Sequence, residues 1–238
     1  MTAFDEYIIR SLNSCANRWE AFDSIILLLR VTDLLKGGVI SALIWWAWFR
    51  TEGDQKTSRA VILSTLVAAF GAMFTARGLS LVLPFRYRPL HNPEIGFQLP
   101  YGMEPEILDD WSSFPSDHAA LFFCLTAGLW FVSRRLGIVA LLQTVFVISF
   151  PRLYDGLHYP TDILAGAGIG LAWFHIANMS FIKNRLLPPV GYWLEHHPMS
   201  FYAAFFLLTE QIATIFQDAR TVGKFILGFI LGMIARRF

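Results

Sequence analysis

The stretch SSFPSDHAALFFCL, residues 112–125, joins a polar cluster to an apolar run. Its second half is apolar enough to enter a lipid bilayer, whereas Pro115, Ser116, Asp117 and His118 place a hydroxyl, a carboxylate and an imidazole at the start of that run. Serine is a favourable N-cap, and the free backbone N–H groups at a helix N-terminus favour an anion. The stretch therefore predicts a membrane helix that begins at an anion-binding site.

The composition predicts an integral membrane protein. Of the 238 residues, 55% are hydrophobic and only 16% are charged, whereas a soluble domain carries about 25% charged residues. The net charge of +1 argues against a nucleic-acid-binding protein, which would present a basic face. Cys15 and Cys124 lie far apart in the sequence and do not predict a disulfide framework. The N-terminal residues include acidic side chains and do not resemble a cleaved signal peptide.

Hydrophobic patterning predicts an all-α, polytopic integral membrane helix bundle of about six transmembrane helices with an N-terminal interfacial helix. The amphipathic residues 3–19 form the interfacial helix, and residues 22–31 are either half-buried or the front of a broken first span. Transmembrane spans are expected at 34–49, 60–83, 116–132, 136–150 and 163–179. The runs 199–216 and 225–235 form either one span and an interfacial helix or a hairpin of two spans.

Basic residues predict the orientation of these spans. The loops after the first, third and fifth spans carry most of the clustered cations, namely Arg50, Lys56, Arg59, Arg134, Arg135, Lys183 and Arg185. The positive-inside rule makes this face cytoplasmic. The loops 84–115 and 151–160 then face outward, and they hold most of the polar residues that packing does not explain. The fifth span contains GAGIG, residues 166–170, whose small side chains favour close approach of a second helix.

Three polar segments at the outer face predict a phosphate site. They are FRYRP at 85–89, PSDH at 115–118 and PRLYDGLHYPTD at 151–162. Arg88 and Arg152 offer planar forks of donors that suit phosphate oxygens. The N-terminus capped by Ser116 adds backbone donors to the same site.

Two histidines in these segments predict separate catalytic roles. His158 and Asp162 stand four residues apart, so the carboxylate can hold one imidazole nitrogen and leave the other as a nucleophile. His118 lies on a different helix and can supply a proton to a leaving group. This combination indicates phosphoryl transfer without a metal or other cofactor.

These residues resemble the type 2 phosphatidic acid phosphatase (PAP2) superfamily, whose motifs are K-x6-R-P, P-S-G-H and S-R-x5-H-x3-D. Arg152, His158 and Asp162 match the third motif from its arginine onward, and residues 115–118 match the second except at Asp117. The combination of FPSDH and HYPTD is most similar to bacterial undecaprenyl-diphosphate phosphatases of the bacitracin-resistance type. The resemblance implies a phosphatase core at 1–184 and a C-terminal extension at 185–238.

The resemblance also implies residue roles. His158 would form a phosphohistidine, Asp162 would orient it, and His118 would act first as general acid and then as base. The phosphate-binding residues would be Arg88, Ser116 and Arg152. The substrate would be a lipid phosphate, in the first place a polyprenyl diphosphate, bound from the surrounding membrane lipids at the outer face of a bacterial inner membrane.

Three positions depart from the superfamily pattern. Leu81 stands where the first motif has lysine, and Arg86 or Arg77 would have to replace that charge, with Arg86 the first choice. Asp117 replaces a glycine and is unfavourable beside an anion unless it points away or pairs with Arg86. Pro151 stands where the third motif begins with serine.

Other readings remain open at this stage. The same residues would serve a phosphatidic acid or phosphatidylglycerol-phosphate phosphatase, or a lipid phosphotransferase. Non-enzymatic alternatives are an anion transporter and an inactive scaffold, of which the transporter predicts charges spread through the membrane depth. A metal-dependent hydrolase built on Asp109, Asp110, His118 and His158 is disfavoured, because nearby arginines would crowd a dication. The sequence leaves the oligomeric state open.

Overall fold

The structure is a computed structural model that describes residues 1–217 and Phe225. This part of the chain is helical and contains no strand. Its α-helices, numbered along the chain, are α1 Ala3–Asn13, α2 Glu20–Val31, α3 Val39–Phe49, α4 Gln55–Val82, α5 Asp117–Val132, α6 Arg134–Leu142, α7 Phe150–Tyr154, α8 Pro160–Asn178, α9 Ser180–His196 and α10 Pro198–Ala213. A 3-10 turn forms at Pro89–His91. The all-α prediction is confirmed.

Two helices continue through π-helical turns. Leu34–Gly38 leads directly into α3, and Gln143–Ser149 joins α6 to α7. Gln55–Val82 and Arg134–Tyr154 are long and apolar enough to cross a membrane, and Leu34–Phe49 and Asp117–Val132 are shorter apolar helices. Every expected span is helical, although the fourth extends four residues past its expected end at Phe150 to Tyr154.

The N-terminal helix is present but shorter than the stretch 3–19 expected from the sequence. Helix α1 ends at Asn13, and Asn17 adopts a left-handed backbone conformation with φ of 57°. The reason is a buried carboxylate, because Asp23 Oδ2 accepts hydrogen bonds from the backbone N–H groups of Asn17 and Tyr101. The chain therefore turns after α1, and residues 22–31 belong to a separate helix, α2, with Asp23 and Ile26 buried.

Helix α5 lies at the centre of the fold, packed against α4 and α8. Its contact with α8 has no room for side chains, since a Cβ on Gly166 or Gly170 would lie less than 3.0 Å from the carbonyl oxygen of Ser116 or Ala120. On the other side, a Cβ on Gly128 would collide with the side chain of Thr65 on α4. The close approach expected from the GAGIG segment is confirmed, and it brings the first turns of α5 and α8 together.

The C-terminal helix α10 packs against α3, and α9 packs against α4 and α8. The proposed boundary between residues 184 and 185 falls inside α9, and α10 covers the first long run of the extension. Ser41 Oγ donates to the carbonyl of Thr209, 2.7 Å away, and Phe201 stacks on Trp48 while the ring of Phe205 is tilted against it. The second expected run, 225–235, lies outside the described residues apart from Phe225.

We expect Gly170→Ala to destabilise the protein by about 1–3 kcal/mol, because the added methyl group overpacks the contact between α8 and α5. Gly168→Ala is the matched control: it lies on the same helix, it is exposed, and a Cβ there meets no atom within 4 Å. The measurement is thermal unfolding in detergent. Equal melting temperatures for the two variants would contradict the packing argument.

Candidate active site

Two of the polar segments are joined directly by the backbone. The N–H of Ser116 donates to the carbonyl of Asp162 over 3.1 Å, so the start of α5 is fixed to the first turn of α8. Beside this junction lies a small polar cavity, here called the phosphate cavity. Its walls are formed by Arg77, Ser80, Arg88, Trp111, Ser112, Pro115, Asp117 and His158.

His158 is buried and held by a backbone carbonyl. Its Nδ1 lies 2.8 Å from the carbonyl oxygen of Ser113. Because a carbonyl oxygen only accepts, Nδ1 carries the proton, and Nε2 is left unprotonated in the neutral ring. Burial lowers the pKa of His158, and the charge of Arg88 lowers it further, against the opposing carboxylates of Asp162 and Asp117. The arrangement provides a neutral imidazole with a free nitrogen at the wall of the phosphate cavity.

Asp162 does not make the hydrogen bond to His158 that the spacing predicted. Its Oδ2 lies 3.6 Å from His158 Nδ1, beyond hydrogen-bond distance, and accepts the backbone N–H of Tyr159 over 2.7 Å. Its Oδ1 is paired with Arg86 Nη1. Asp162 therefore supports His158 through its charge and through the turn that precedes α8, while Ser113 fixes the tautomer.

Arg86 belongs to this supporting network. Besides Asp162 it binds Asp5 on α1, with 2.8 Å between Nη2 and Oδ2, and its guanidinium lies 4.2 Å from the ring centroid of Tyr159. Thr161 completes the cluster, because its N–H and hydroxyl both donate to Asp5, over 3.0 and 2.8 Å. Two carboxylates already bind this guanidinium. The structure therefore does not favour Arg86, the first choice from the sequence, as the replacement for the missing lysine.

Arg77 is the second candidate, and it lines the phosphate cavity. Its Nη2 donates to Asp117 Oδ2 over 2.7 Å, and its guanidinium lies 5.7 Å from the ring centroid of Trp111. Its Nε is buried and has no hydrogen-bond partner. Arg77 therefore does not extend along the helix to solvent, and it leaves one donor free beside the cavity. Asp117 pairs with Arg77 and not with Arg86, which was the partner considered from the sequence.

Asp117 also contacts His118. Asp117 Oδ1 lies 2.7 Å from His118 Nδ1 and accepts the backbone N–H of His118 over 2.8 Å. Ser116 caps the same helix, with its buried hydroxyl accepting the N–H of Ala119 over 3.4 Å. The three residues expected at the start of α5 are therefore present at the helix N-terminus as the sequence suggested.

Arg88 and Arg152 are both buried near His158. Arg88 donates to the carbonyls of Leu157, Trp111 and Ser112, over 2.6, 3.2 and 3.4 Å, and so ties the loop before α5 to the loop before α8. The carbonyl of Arg152 accepts the N–H groups of Leu157 and His158. These arginines build the wall that carries His158, in addition to bringing positive charge to it.

A further carboxylate lies behind the site. Asp155 is buried, with its Oδ2 3.2 Å from Arg30 Nε, and burial raises its pKa to about 6 against the lowering effect of Arg30 and Arg152. Within residues 1–217, His, Cys, Asp and Glu side chains form no group of three that could hold a metal ion.

Some of these residues were missed by sequence reasoning. Ser113 acts through its backbone carbonyl, which any residue type would supply, so no sequence signal points to it. Asp5 lies more than 150 residues from Thr161, its backbone partner, and only its position on an amphipathic helix distinguishes it.

Comparison with known proteins shows the family of this chain. The model of the PAP2 superfamily matches residues 60–185, which include Arg77, Arg88, Ser116, His158 and Asp162. The chain belongs to the PAP2 superfamily. Members of this superfamily are membrane helix bundles, in agreement with the apolar helices of the fold.

Curated relatives of this PAP2 chain are bacterial. They include the bacitracin transport permease protein BcrC of Bacillus licheniformis, 37% identical over 32% of this chain and 39% of the relative. The putative undecaprenyl-diphosphatase YbjG of Escherichia coli is 24% identical over 58% of this chain and 64% of its own length. The undecaprenyl-diphosphatase BcrC of Bacillus subtilis is 21% identical over 76% of this chain and 85% of the relative. The chain thus spans less than two thirds of the first two relatives, and no solved structure matches it.

We expect Asp5→Asn to lower the stability by about 1–3 kcal/mol, because Arg86 loses one of its two buried anionic partners. Burial acts to raise the pKa of Asp5, but hydrogen bonds from Thr161 and Arg86 outweigh it and hold the pKa below its usual value. The carboxylate therefore stabilises the fold at neutral pH and loses this effect on acidification. Thermal unfolding at pH 7 should separate the variant from wild type, and the gap should shrink as the pH falls.

Glu6→Gln provides the control for this experiment, since Glu6 is an exposed neighbour that pairs only with Arg10 on its own helix. A melting temperature for Asp5→Asn equal to that of Glu6→Gln would show that the network does not hold α1.

Proposed function

We propose that the chain is a metal-independent membrane lipid phosphatase that hydrolyses undecaprenyl diphosphate to undecaprenyl phosphate through a phosphohistidine on His158. Its PAP2 membership and the two relatives named as undecaprenyl-diphosphatases indicate a phosphatase. The observation that carries the proposal is the position of His158, whose Nδ1 is held by the carbonyl of Ser113 and whose side chain lines a cavity shared with two arginines.

The reaction follows from these positions. His158 Nε2 attacks the terminal phosphorus, the bond from phosphorus to the bridging oxygen breaks, and His118 gives its proton to the departing lipid phosphate. His118 then accepts a proton from water, which attacks the phosphohistidine and releases inorganic phosphate. Arg77, Arg88, Arg152 and the N-terminus at Ser116 would stabilise the negative charge of the transferred group.

A neighbouring groove supports a lipid substrate. A groove of about 340 Å³ shares Ser80, Trp111 and Ser112 with the phosphate cavity, and its other walls include Leu81, Leu83 and Phe85. A diphosphate in the cavity would thus have an apolar surface beside it for the first part of a prenyl chain. Leu81, the position where the superfamily motif has lysine, would contact that chain.

The distribution of charge supports an outward-facing site. The first turns of helix α4 contain Lys56 and Arg59. Arg77 lies toward the other end of this helix, at the phosphate cavity. The basic loops would face the cytoplasm, so the site would face the outside of the plasma membrane or the periplasm. The charged residues of the site gather at this one end, which favours an enzyme over an anion transporter with a polar path through the membrane.

We expect detergent-purified protein to release phosphate from undecaprenyl or farnesyl diphosphate in excess EDTA, and His158→Ala to reduce the rate by at least about 1,000-fold. The assay compares these substrates with phosphatidic acid and phosphatidylglycerol phosphate. His175→Ala is the control, since His175 lies near the opposite end of α8. Loss of activity in EDTA would refute the metal-free mechanism, and a preference for glycerolipids would assign the same chemistry to another lipid.

Arg77 and Arg86 should respond differently to substitution, because only Arg77 has a free donor beside the cavity. We expect Arg77→Met to weaken inhibition by inorganic phosphate or vanadate by about 10-fold or more, the equivalent of one lost charged hydrogen bond. Arg86→Met should instead lower the melting temperature and leave the inhibition constant of the folded protein close to that of wild type. The opposite pattern would assign the role of the missing lysine to Arg86.

A further inference from the structure

The carboxylate of Asp117 binds a different partner with each oxygen. Oδ1 lies 2.7 Å from His118 Nδ1 and also accepts the backbone N–H of His118. Oδ2 accepts from Arg77 Nη2 over 2.7 Å. The side chain is only 18% exposed, so these contacts are shielded from solvent. The residue that replaces the usual glycine is therefore fixed between α4 and the imidazole on its own helix.

This geometry determines which nitrogen of His118 is available. A carboxylate accepts, so the imidazole donates from Nδ1, and Nε2 is the atom that exchanges protons with other groups. A carboxylate in contact with an imidazole also stabilises its protonated form. Both effects serve a histidine that must first hold a proton and then deliver it from a defined position.

Arg77 explains how a carboxylate is tolerated beside an anion site. Its Nη2 binds Asp117, its buried Nε has no partner, and its side chain lines the phosphate cavity. One guanidinium can therefore neutralise Asp117 and still donate to a phosphate oxygen. The other cationic group that acts on His118 is Arg152, on α7, with His158 as the second imidazole, and Arg88, in the loop after α4, acts on Asp117.

We propose that Asp117 is a positioning residue that holds His118 in the orientation and tautomer required for proton transfer, and that Arg77 fixes Asp117 in place. The proposal rests on the proposed function, since it assigns a task within the same phosphatase reaction. The opposite role is that Asp117 repels the substrate and restrains the enzyme. The two roles predict opposite changes, because removal of a repelling charge would tighten binding or raise the rate.

The test compares Asp117→Asn with wild type for phosphate release from farnesyl diphosphate. We expect kcat to fall about 10- to 100-fold, because the proton donor loses its anionic support, while KM changes by less than about threefold. Glu106→Gln is the control, because Glu106 is an exposed acid in the loop before α5, and it should leave both constants unchanged. Thermal unfolding verifies that the variant is folded, and Asp117→Gly, the residue usual in the superfamily, replaces it if it is not.

A double variant shows whether Asp117 acts through His118. In a His118→Ala background, measured with radiolabelled substrate, Asp117→Asn should change kcat by less than about threefold, because its partner is already absent. An equal loss in both backgrounds, an unchanged kcat in the single variant, or a lower KM with a higher rate would each overturn the inference. The proposed function fails separately, if wild-type protein releases no phosphate from any of the lipids.

Discussion

The close contact between α5 and α8 is the constraint on which the site depends. Gly166 and Gly170 allow the α8 backbone to lie against the carbonyls of Ser116 and Ala120, and the N–H of Ser116 then reaches the carbonyl of Asp162. This bond fixes the N-terminus of α5 to the first turn of α8. The positions of His118 and His158 relative to each other follow from it, since each residue lies within a few residues of the junction.

Three shielded carboxylates organise the charges around this junction. Asp162 and Asp5 share Arg86, which joins α1 to the start of α8, and Asp117 binds Arg77 from α4. Pairing is needed because an isolated charge in such a shielded position would be strongly unfavourable. Arg86 therefore stabilises the fold through two ion pairs, whereas Arg77 lines the phosphate cavity and has one donor without a partner.

The arrangement also fits the lipid substrate that we propose. The polar cavity and the apolar groove share one wall, formed by Ser80, Trp111 and Ser112. A ligand with a charged head and a hydrocarbon chain matches both parts, whereas a soluble phosphate ester would use only the first. Leu81 stands where the superfamily motif has lysine, and it contributes to the apolar wall.

Local sequence patterns predicted the helical class, the approximate position of each span and the residue types of the candidate site. These features depend on local patterns: long apolar runs, basic loops, and the motifs around His118 and His158. They placed the end of α1 wrongly, because the turn there is set by Asp23, which binds the backbone N–H groups of Asn17 and of the distant Tyr101.

Which groups meet in the candidate site depends on the tertiary structure. In the fold, the carbonyl of Ser113 accepts from His158 Nδ1 and Asp117 contacts His118. Arg77, which binds Asp117, lines the cavity, and Arg86 does not. None of these contacts leaves a periodic or compositional signal, because each depends on how two or three separate segments approach one another. A sequence motif predicts which histidines belong to the site, whereas the fold determines which oxygen atom contacts each imidazole nitrogen.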